Sequence, residues 1–187
     1  MTDETMDRRT RKTRRALILA MSELLESRRF NNITVQEIID RANVGRSTFY
    51  AHFETKEDLL NALIEDIFAM LEDGIRVSDD RDPTPAQLLP ARELFAHVGD
   101  HHKLILGLMR VEQADALQDR INTYWSTKIL ENLTARGITV TKRGVPVEIY
   151  AYHTASTLNA LLIWWLKNQM PYTPAQMEQY FEALIGT

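Results

Sequence analysis

The fold is decided by the stretch Thr34–Phe53, which reads TVQEIIDRANVGRSTFYAHF. Its first half predicts a helix start, because Thr34 and Glu37 have the spacing of a capping box. The triplet Asn43-Val44-Gly45 then predicts a tight turn, since Asn tolerates left-handed backbone angles and Gly accepts almost any. A second short helix is predicted from Arg46 to Phe53. Two short helices joined by such a turn form a helix-turn-helix.

The second helix of this pair is predicted to have one apolar face and one polar face. Phe49 and Phe53 are four residues apart, so they share a face and are expected to lie in the core. The side chains left to project outward are Arg46, Ser47, Thr48 and Tyr50. Such groups can bond phosphates or base edges in a major groove, and Arg is the natural bidentate partner of guanine.

The distribution of charge along the chain agrees with contact to nucleic acid. The 187 residues include 22 Lys and Arg against 26 Asp and Glu, a formal charge of −4 that by itself argues against a DNA-binding protein. Residues 8–56, however, hold eleven basic and five acidic side chains, a net +6 that leaves −10 for the rest. A basic segment on an acidic body predicts phosphate contact there, because counterion release drives affinity.

Most of the remaining chain also reads as helix, since apolar residues recur at helical spacing and only Ile138–Val140 is a candidate strand. The predicted helices cover residues 8–28, 34–42, 46–53, 55–74, 92–99, 100–110, 115–136, 146–169 and 174–185. Capping boxes are predicted at Thr55 with Asp58 and at Thr173 with Gln176. The proline-rich residues 78–90 are predicted to contain a loop. The fold class is therefore all-α.

The composition excludes several functional classes. The chain has no cysteine, which excludes disulfides, thiolate zinc sites and iron–sulfur clusters. Met1–Arg15 is charged and lacks the apolar stretch of a signal peptide, and the most apolar run, Leu158–Leu166, is about half a membrane span. We expect a soluble, cytoplasmic protein with no cofactor and no bound metal.

The run from Arg11 to Leu63 closely resembles the N-terminal domain of tetracycline-repressor-like regulators, the TetR family. Its most specific part is the pattern Tyr-x-His-Phe-x-x-Lys-x-x-Leu, here Tyr50, His52, Phe53, Lys56 and Leu59. The turn departs from the family pattern, in which Gly is common at the position of Asn43 and Ser or Thr at that of Gly45. A weaker resemblance to one branch of TetR-type C-terminal domains covers 94–103 and 164–174.

The resemblance implies a homodimeric transcriptional regulator, usually a repressor that leaves a near-palindromic operator when a small, largely apolar ligand binds. It implies a helix-turn-helix DNA-binding domain over residues 1–58 and a helical effector-binding and dimerisation domain over 59–187. The residues that it places at DNA are Thr34 and Lys56 at phosphates, Arg46, Ser47 and Thr48 at bases, and Tyr50 and His52 at backbone or base. Control by protein partners without a small ligand, or activation of transcription, stays open.

Several large apolar side chains of the C-terminal part are candidates for lining an effector pocket. They are Phe95, Met109, Trp125, Tyr150 and Trp164. The same side chains also fit a core or a dimer interface, and that alternative stays open. The stretch Ala155–Leu166 is apolar nearly all round, which favours contact with a partner subunit as well as with its own domain. We therefore predict a dimer interface built from this helix and the last one, Pro174–Ile185.

Three histidines leave a metal-dependent enzyme as a further alternative. His97 and His101 are four residues apart, a spacing at which two imidazoles can share a metal, and His102 lies beside them. Gly99-Asp100 is expected to break the helix between them, and no third ligand is clearly placed. The chain contains no recognisable catalytic motif, so we expect no enzymatic activity.

Overall fold

The computed structural model describes residues 3–74, 89–111, 114–141 and 143–186. Its helices are α1 (Asp3–Leu25), α2 (Val35–Ala42), α3 (Arg46–Tyr50), α4 (Lys56–Gly74), α5 (Ala91–Asp100), α6 (His102–Leu108), α7 (Ala114–Ala135), α8 (Val147–Lys167) and α9 (Pro174–Gly186). A 3-10 turn, Phe30–Asn32, lies between α1 and α2. In place of the candidate strand at Ile138–Val140, Val140 forms an isolated bridge with Pro146, and the described residues contain no strand. The all-α prediction is confirmed.

The described residues form two compact units. The first contains residues 3–72 together with 103–111, and the second contains the described residues of 73–102 and 114–186. The sequence predicts a different division, by function, into a DNA-binding domain (1–58) and an effector-binding and dimerisation domain (59–187). That division stays a prediction. None of the described helices combines the length and apolar character that crossing a bilayer requires.

The starts of three helices follow local signals in the sequence. Glu37 N–H donates to Thr34 Oγ1 at 3.2 Å while the Glu37 carboxylate accepts from Thr34 N–H at 2.9 Å, which is a complete capping box for α2. The same reciprocal bonds join Thr55 with Asp58 before α4 and Thr173 with Gln176 before α9. All three predicted capping boxes are confirmed.

The predicted ends of two helices are wrong by three residues or more. α1 spans Asp3–Leu25 instead of 8–28, because the N–H groups of Ser27 and Arg28 both turn back to the Leu24 carbonyl. α3 ends at Tyr50 instead of Phe53, because the backbone N–H of His52 bonds the carbonyl only three residues back and tightens the last turn. The predicted loop at 78–90 lies, up to residue 88, outside the described residues.

The predicted break at Gly99-Asp100 lies one residue later, at His101, between α5 and α6. α5 continues to Asp100, and the His101 N–H still donates to the His97 carbonyl at 3.1 Å. The glycine is there for packing, since a Cβ at Gly99 would lie 3.0 Å from Trp165 Cη2. The Trp165 ring also packs edge-on against Phe95, with centroids 5.5 Å apart.

The second unit is built around its two long helices, α7 and α8. α7 packs along α8, and α9 packs against both α5 and α8. Its core contains the fully buried side chains Phe95, Trp125, Leu158 and Phe181. Burial of these large apolar groups is the main favourable contribution to the stability of this unit.

The first unit is completed by a helix that comes later in the chain. α1 packs against α2, with Leu17, Met21 and Leu25 buried on one face at helical spacing. α6 then approaches the end of α1 at Gly107, where an added Cβ would lie 2.3 Å from the Leu25 carbonyl oxygen. Only glycine allows this approach of helix to backbone.

Candidate nucleic-acid interface

The turn between α2 and α3 is set by Asn43 rather than by glycine. Asn43 adopts left-handed angles, φ 52° and ψ 50°, and the Val44 N–H closes the turn by donating to the Ile39 carbonyl at 3.0 Å. Gly45 has φ −79° and ψ 158°, an extended conformation that any residue can adopt. The structure therefore accommodates both departures from the usual TetR pattern without strain at Gly45.

Helix α3 has the two faces that the sequence predicts. Phe49 is fully buried and Phe53 nearly so, with their ring centroids 6.2 Å apart. On the other side, Arg46 and Ser47 are exposed and Tyr50 is 51% exposed. Thr48 and His52 are partly buried at the margins of this face. The arrangement presents a cation and hydroxyl groups on one side of a short helix anchored by two phenylalanines.

Thr34 is exposed at the start of α2, and its hydroxyl is already engaged. Thr34 Oγ1 accepts from the Glu37 N–H and donates to Glu37 Oε2 at 2.9 Å. The Glu37 carboxylate also pairs with the Arg28 guanidinium. The hydrogen bond from the Thr34 backbone, followed by that from Arg28, lowers the pKa of Glu37 to about 2.

Arg28 was not among the residues singled out in the sequence. Besides Glu37, it contacts the 3-10 turn, where its Nη2 donates to the Asn32 carbonyl at 2.9 Å. No sequence motif or spacing predicts this pair, because the two partners are nine residues apart and only Glu37 lies in a helix. Arg28, which follows α1, thereby connects the 3-10 turn to the first turn of α2.

Lys56 contacts the backbone of the 3-10 turn and of Ile33, which follows it. Its Nζ donates to the carbonyls of Ile33 at 3.0 Å, Phe30 at 3.1 Å and Asn31 at 3.5 Å. The ammonium also lies 4.5 Å from the centroid of the Phe30 ring, within cation–π range. The phosphate contact predicted for Lys56 thus has a structural alternative.

The basic residues of α1 divide into two groups. Arg14 packs within the first unit. Its Nη1 lies 3.6 Å from Asp66 Oδ1, and its Cζ lies 5.8 Å from the centroid of the Phe53 ring. The exposed basic residues at helical spacing on one face are Arg8, Arg11, Lys12 and Arg15. The contact of Arg14 with Phe53 places α1 beside the residues that follow α3.

Comparison with known proteins identifies the family. Residues 17–63 match the family described as bacterial regulatory proteins, tetR family, and residues 90–187 match the family described as transcriptional regulator C-terminal region. The chain belongs to the TetR family. The first match contains the complete helix-turn-helix, and the second contains every described helix from α5 to α9.

Individual TetR-family relatives match the chain over different extents. The transcriptional activator DhaS of the dhaKLM operon, from Lactococcus lactis, is 34% identical over 59 residues, which are 32% of each chain. The chain spans 24%, 32% and 42% of the lengths of three curated bacterial regulators that it matches at 32–34% identity.

Solved structures extend the likeness to nearly the whole chain. A TetR transcriptional regulator from Streptococcus agalactiae is 29% identical with a TM-score of 0.63, covering 97% of this chain and 98% of its own. RolR, solved in complex with resorcinol, has a TM-score of 0.60 at 22% identity, covering 95% and 87% of the two chains. At that identity the likeness to RolR concerns the fold.

The five candidate effector residues of this TetR-family chain lie in different surroundings. Phe95 and Trp125 are fully buried, Tyr150 is partly buried, and Trp164 is 46% exposed and stacks on Tyr172. Burial raises the pKa of the Tyr150 hydroxyl. Met109 belongs to the first compact unit, whereas the other four belong to the second. Which of them meet a ligand stays a prediction.

His97 and His101 lie close together where α5 ends. His97 is on α5 and His101 follows its last residue, and their tilted rings have centroids 4.6 Å apart. Burial, together with the neighbouring His101, lowers the pKa of His97. His102 turns away and its Nδ1 lies 2.9 Å from the Gly99 carbonyl. Within the described residues, no three His, Cys, Asp or Glu side chains form a group that could hold a metal.

Proposed function

We propose that this TetR-family protein is a sequence-specific DNA-binding regulator of transcription whose helix α3 enters the major groove. The observation that carries the proposal is the orientation of α3. Its phenylalanine face is buried while Arg46, Ser47 and Tyr50 are exposed together. A short helix held in this way, preceded by a bracing helix, is the geometry with which helix-turn-helix proteins read base edges.

The proposed contacts divide into those that read bases and those that bind the backbone. Arg46, Ser47 and Thr48 are proposed to face bases, because they occupy the first turn of α3. Tyr50 and His52 are proposed to meet backbone or base from the end of the same helix, and Thr34 to meet a phosphate at the start of α2. The exposed basic face of α1 adds sequence-independent attraction to phosphates.

The substitution Arg46→Ala tests the reading role of α3. The DNA probe is the tightest duplex that the parent protein selects from a random-sequence pool. We expect Arg46→Ala to lose about 1–3 kcal/mol of binding free energy and to tolerate base changes that the parent rejects. The measurement is a titration of each variant against the selected duplex and a panel of its single-base variants.

Arg92→Ala is the matched control, because Arg92 is an exposed arginine on α5 in the second unit and its loss changes the net charge equally. It should bind and discriminate like the parent. A parent-like titration and base panel for Arg46→Ala would contradict the assignment of α3 as the reading helix.

We propose that the active species is a homodimer, with an interface formed by α8 and α9. Six large apolar or aromatic side chains on α8, α9 and their connection are 40–62% exposed, namely Ile149, Tyr152, Trp164, Tyr172, Tyr180 and Leu184. Such a concentration of exposed apolar surface is typical of a protein–protein contact. A two-fold dimer would bring two copies of α3 to successive major grooves about one helical turn apart, so the operator is expected to be a near-palindrome.

The regulation that we propose is release from the operator when a small, largely apolar ligand binds the C-terminal helices, which makes the protein a repressor. The resorcinol complex of RolR supports this proposal by its shared fold. Such a ligand acts only through its differential affinity for two conformations. A reporter gene behind the selected operator tests the sign: repression gives more transcription when Arg46→Ala replaces the parent.

The likeness to DhaS favours a second candidate, a TetR-family activator. In the same reporter assay, activation gives less transcription when Arg46→Ala replaces the parent. The two functions therefore predict changes of opposite sign in one measurement.

A further inference from the structure

We propose that His97 and His101 form a binding site for a late first-row divalent metal ion, which binds Cu²⁺ most tightly and Ni²⁺ or Zn²⁺ less tightly. The site goes beyond the proposed function, and its test needs no DNA. It consists of the two imidazole rings at the C-terminal end of α5, named here the histidine pair. The pair supplies two nitrogen ligands, and water fills the other coordination positions of the ion.

The backbone of α5 places the two histidines on one face. His101 follows the last residue of the helix, and its N–H still donates to the His97 carbonyl at 3.1 Å, as in a regular helical turn. Residues four apart on such a turn lie one above the other. Two histidines at this spacing are the arrangement with which zinc-dependent proteases hold their metal from a single helix.

The separation of the two rings agrees with a shared metal ion. A metal–imidazole bond is about 2.0–2.1 Å long, so rings whose nitrogens meet one ion at angles of about 90–110° have centroids roughly 4.5–5.3 Å apart. The centroids of the histidine pair are 4.6 Å apart, and the rings are tilted by 54° rather than stacked face to face. The last torsion of a histidine side chain is broad, so each ring can aim a nitrogen at the ion without movement of the backbone.

The surroundings of the histidine pair favour a cation and leave it open to solvent. His101 is exposed and His97 is partly buried, so a bound ion can keep water ligands. The C-terminal end of a helix carries partial negative charge, and the exposed Asp100 is the last residue of α5. His102 is not counted as a ligand, because its Nδ1 lies 2.9 Å from the Gly99 carbonyl oxygen.

The donor set determines the class of ion. Neutral imidazole suits Cu²⁺, Ni²⁺ and Zn²⁺, whereas Mg²⁺ and Ca²⁺ prefer oxygen ligands. Among the described residues, no third His, Cys, Asp or Glu joins the pair. Two imidazoles with water therefore follow the general order of affinity, in which Cu²⁺ exceeds both Ni²⁺ and Zn²⁺. The expectation of no bound metal depends on the missing third ligand, which a site completed by water does not need.

Titration of the full chain with Cu²⁺ tests the site. The protein carries no affinity tag, and the pH is about 7.5, because only neutral imidazole binds a metal. We expect one tightly bound Cu²⁺ per chain, which Zn²⁺ displaces only when it is in excess. The electron paramagnetic resonance spectrum of the bound Cu²⁺ should show the nitrogen couplings of two imidazoles.

The variants His97→Gln and His101→Gln each remove one ligand. Loss of a residue that only supports a metal ligand already weakens binding about 10–100-fold, so loss of a ligand should weaken Cu²⁺ binding about a hundredfold or more. Circular dichroism identifies the folded variants. Because His101 is exposed, its replacement should leave the core of the second unit unchanged.

His153→Gln is the matched control, because His153 is an exposed histidine on α8. It should bind Cu²⁺ like the parent. Equal weakening by His153→Gln, or a parent spectrum with the couplings of a single imidazole, would mean adventitious binding and overturn the proposal. A parent that binds no Cu²⁺, a folded His101→Gln variant with parent-like affinity, or displacement of Cu²⁺ by an equal amount of Zn²⁺ would also overturn it.

Discussion

Glu37 takes part in two interactions at the start of α2. Its carboxylate accepts the Thr34 backbone N–H and pairs with Arg28, so the cap of α2 and an ion pair to the segment between α1 and α2 share one group. These hydrogen bonds hold the pKa of Glu37 at about 2, below the ordinary 4.5. A carboxyl group with a lowered pKa makes folding depend on pH in a defined direction.

The prediction at this scale concerns acid stability. Between pH 4.5 and about 2, the unfolded chain has taken up a proton at Glu37 that the folded chain has not, so the stabilisation present above pH 4.5 is lost as the pH falls. Glu37→Gln cannot titrate, and we expect its unfolding temperature to fall less steeply than that of the parent over this range. Thermal unfolding followed by circular dichroism at several pH values measures the difference.

Glu54→Gln provides the comparison, since Glu54 is an exposed glutamate of the same unit. It should follow the parent curve. Parallel curves for the parent and Glu37→Gln would show that the carboxylate of Glu37 contributes nothing that depends on its charge.

The sequence predicts single residues well where partners are close along the chain. Thr34, Thr55 and Thr173 each have their capping partner three residues later, and all three boxes form. The partners of Lys56 lie 23–26 residues away, and they are backbone carbonyls that carry no side-chain signature. Resemblance to the TetR family indicates that Lys56 is a functional residue, but only the structure shows which atoms it contacts.

Among the elements, α6 is a helix whose packing partner cannot be predicted from the sequence. Its sequence, HKLILGL, predicts a helix but does not indicate that Gly107 will lie against the backbone of α1. Gly99 is similar, because the sequence indicates that a helix ends beside it but does not indicate that it packs against Trp165. A glycine in a helix can lie near its end or make room for a close contact, and the neighbour that makes this contact is distant in sequence.

Gly107→Ala tests the approach of α6 to α1. In an ordinary helix this substitution would stabilise by up to about 1 kcal/mol through propensity. Here the new Cβ would lie 2.3 Å from the Leu25 carbonyl oxygen and 3.0 Å from its carbon, so one backbone must move. We expect a net destabilisation of about 1–3 kcal/mol, typical of overpacking, measured by chemical denaturation.

Gly186→Ala is the control for this measurement, because Gly186 is also helical and a Cβ there would meet nothing within 4 Å. It should be neutral or slightly stabilising, because nothing opposes the helix propensity of alanine there. Equal stability of Gly107→Ala and the parent would mean that α6 does not approach α1 as closely as described.

At the scale of the whole molecule, charge and apolar surface lie on different parts of the chain. The net +6 of residues 8–56 belongs to the first unit, whereas the exposed apolar side chains of α8 and α9 belong to the second. This separation suits a dimer that binds DNA with one part and its own partner with the other. A single value for the net charge, −4, conceals it.

Leu184→Lys tests the proposed dimer. Leu184 is 55% exposed, so a lysine there should leave the fold of the subunit intact. In a two-fold interface each substitution occurs twice, and the loss of about 1.5–3 kcal/mol per buried leucine should raise the dimer dissociation constant roughly a hundredfold or more. Sedimentation equilibrium of the parent and the variant measures this change.

Thr134→Lys adds the same charge at an exposed position of α7 and should remain dimeric like the parent. A Leu184→Lys variant that associates as tightly as the parent would place the interface elsewhere than on this face of α9.

The presence of α6 in the first unit has a consequence for exchanging parts between regulators. A hybrid protein is commonly made by joining the DNA-reading portion of one regulator to the sensing portion of another at a single point after the helix-turn-helix. In this protein, such a graft would leave the donor Leu25 backbone facing a foreign helix in place of Gly107. We therefore expect a stable hybrid to require two grafts, residues 3–72 and residues 103–111, transferred together.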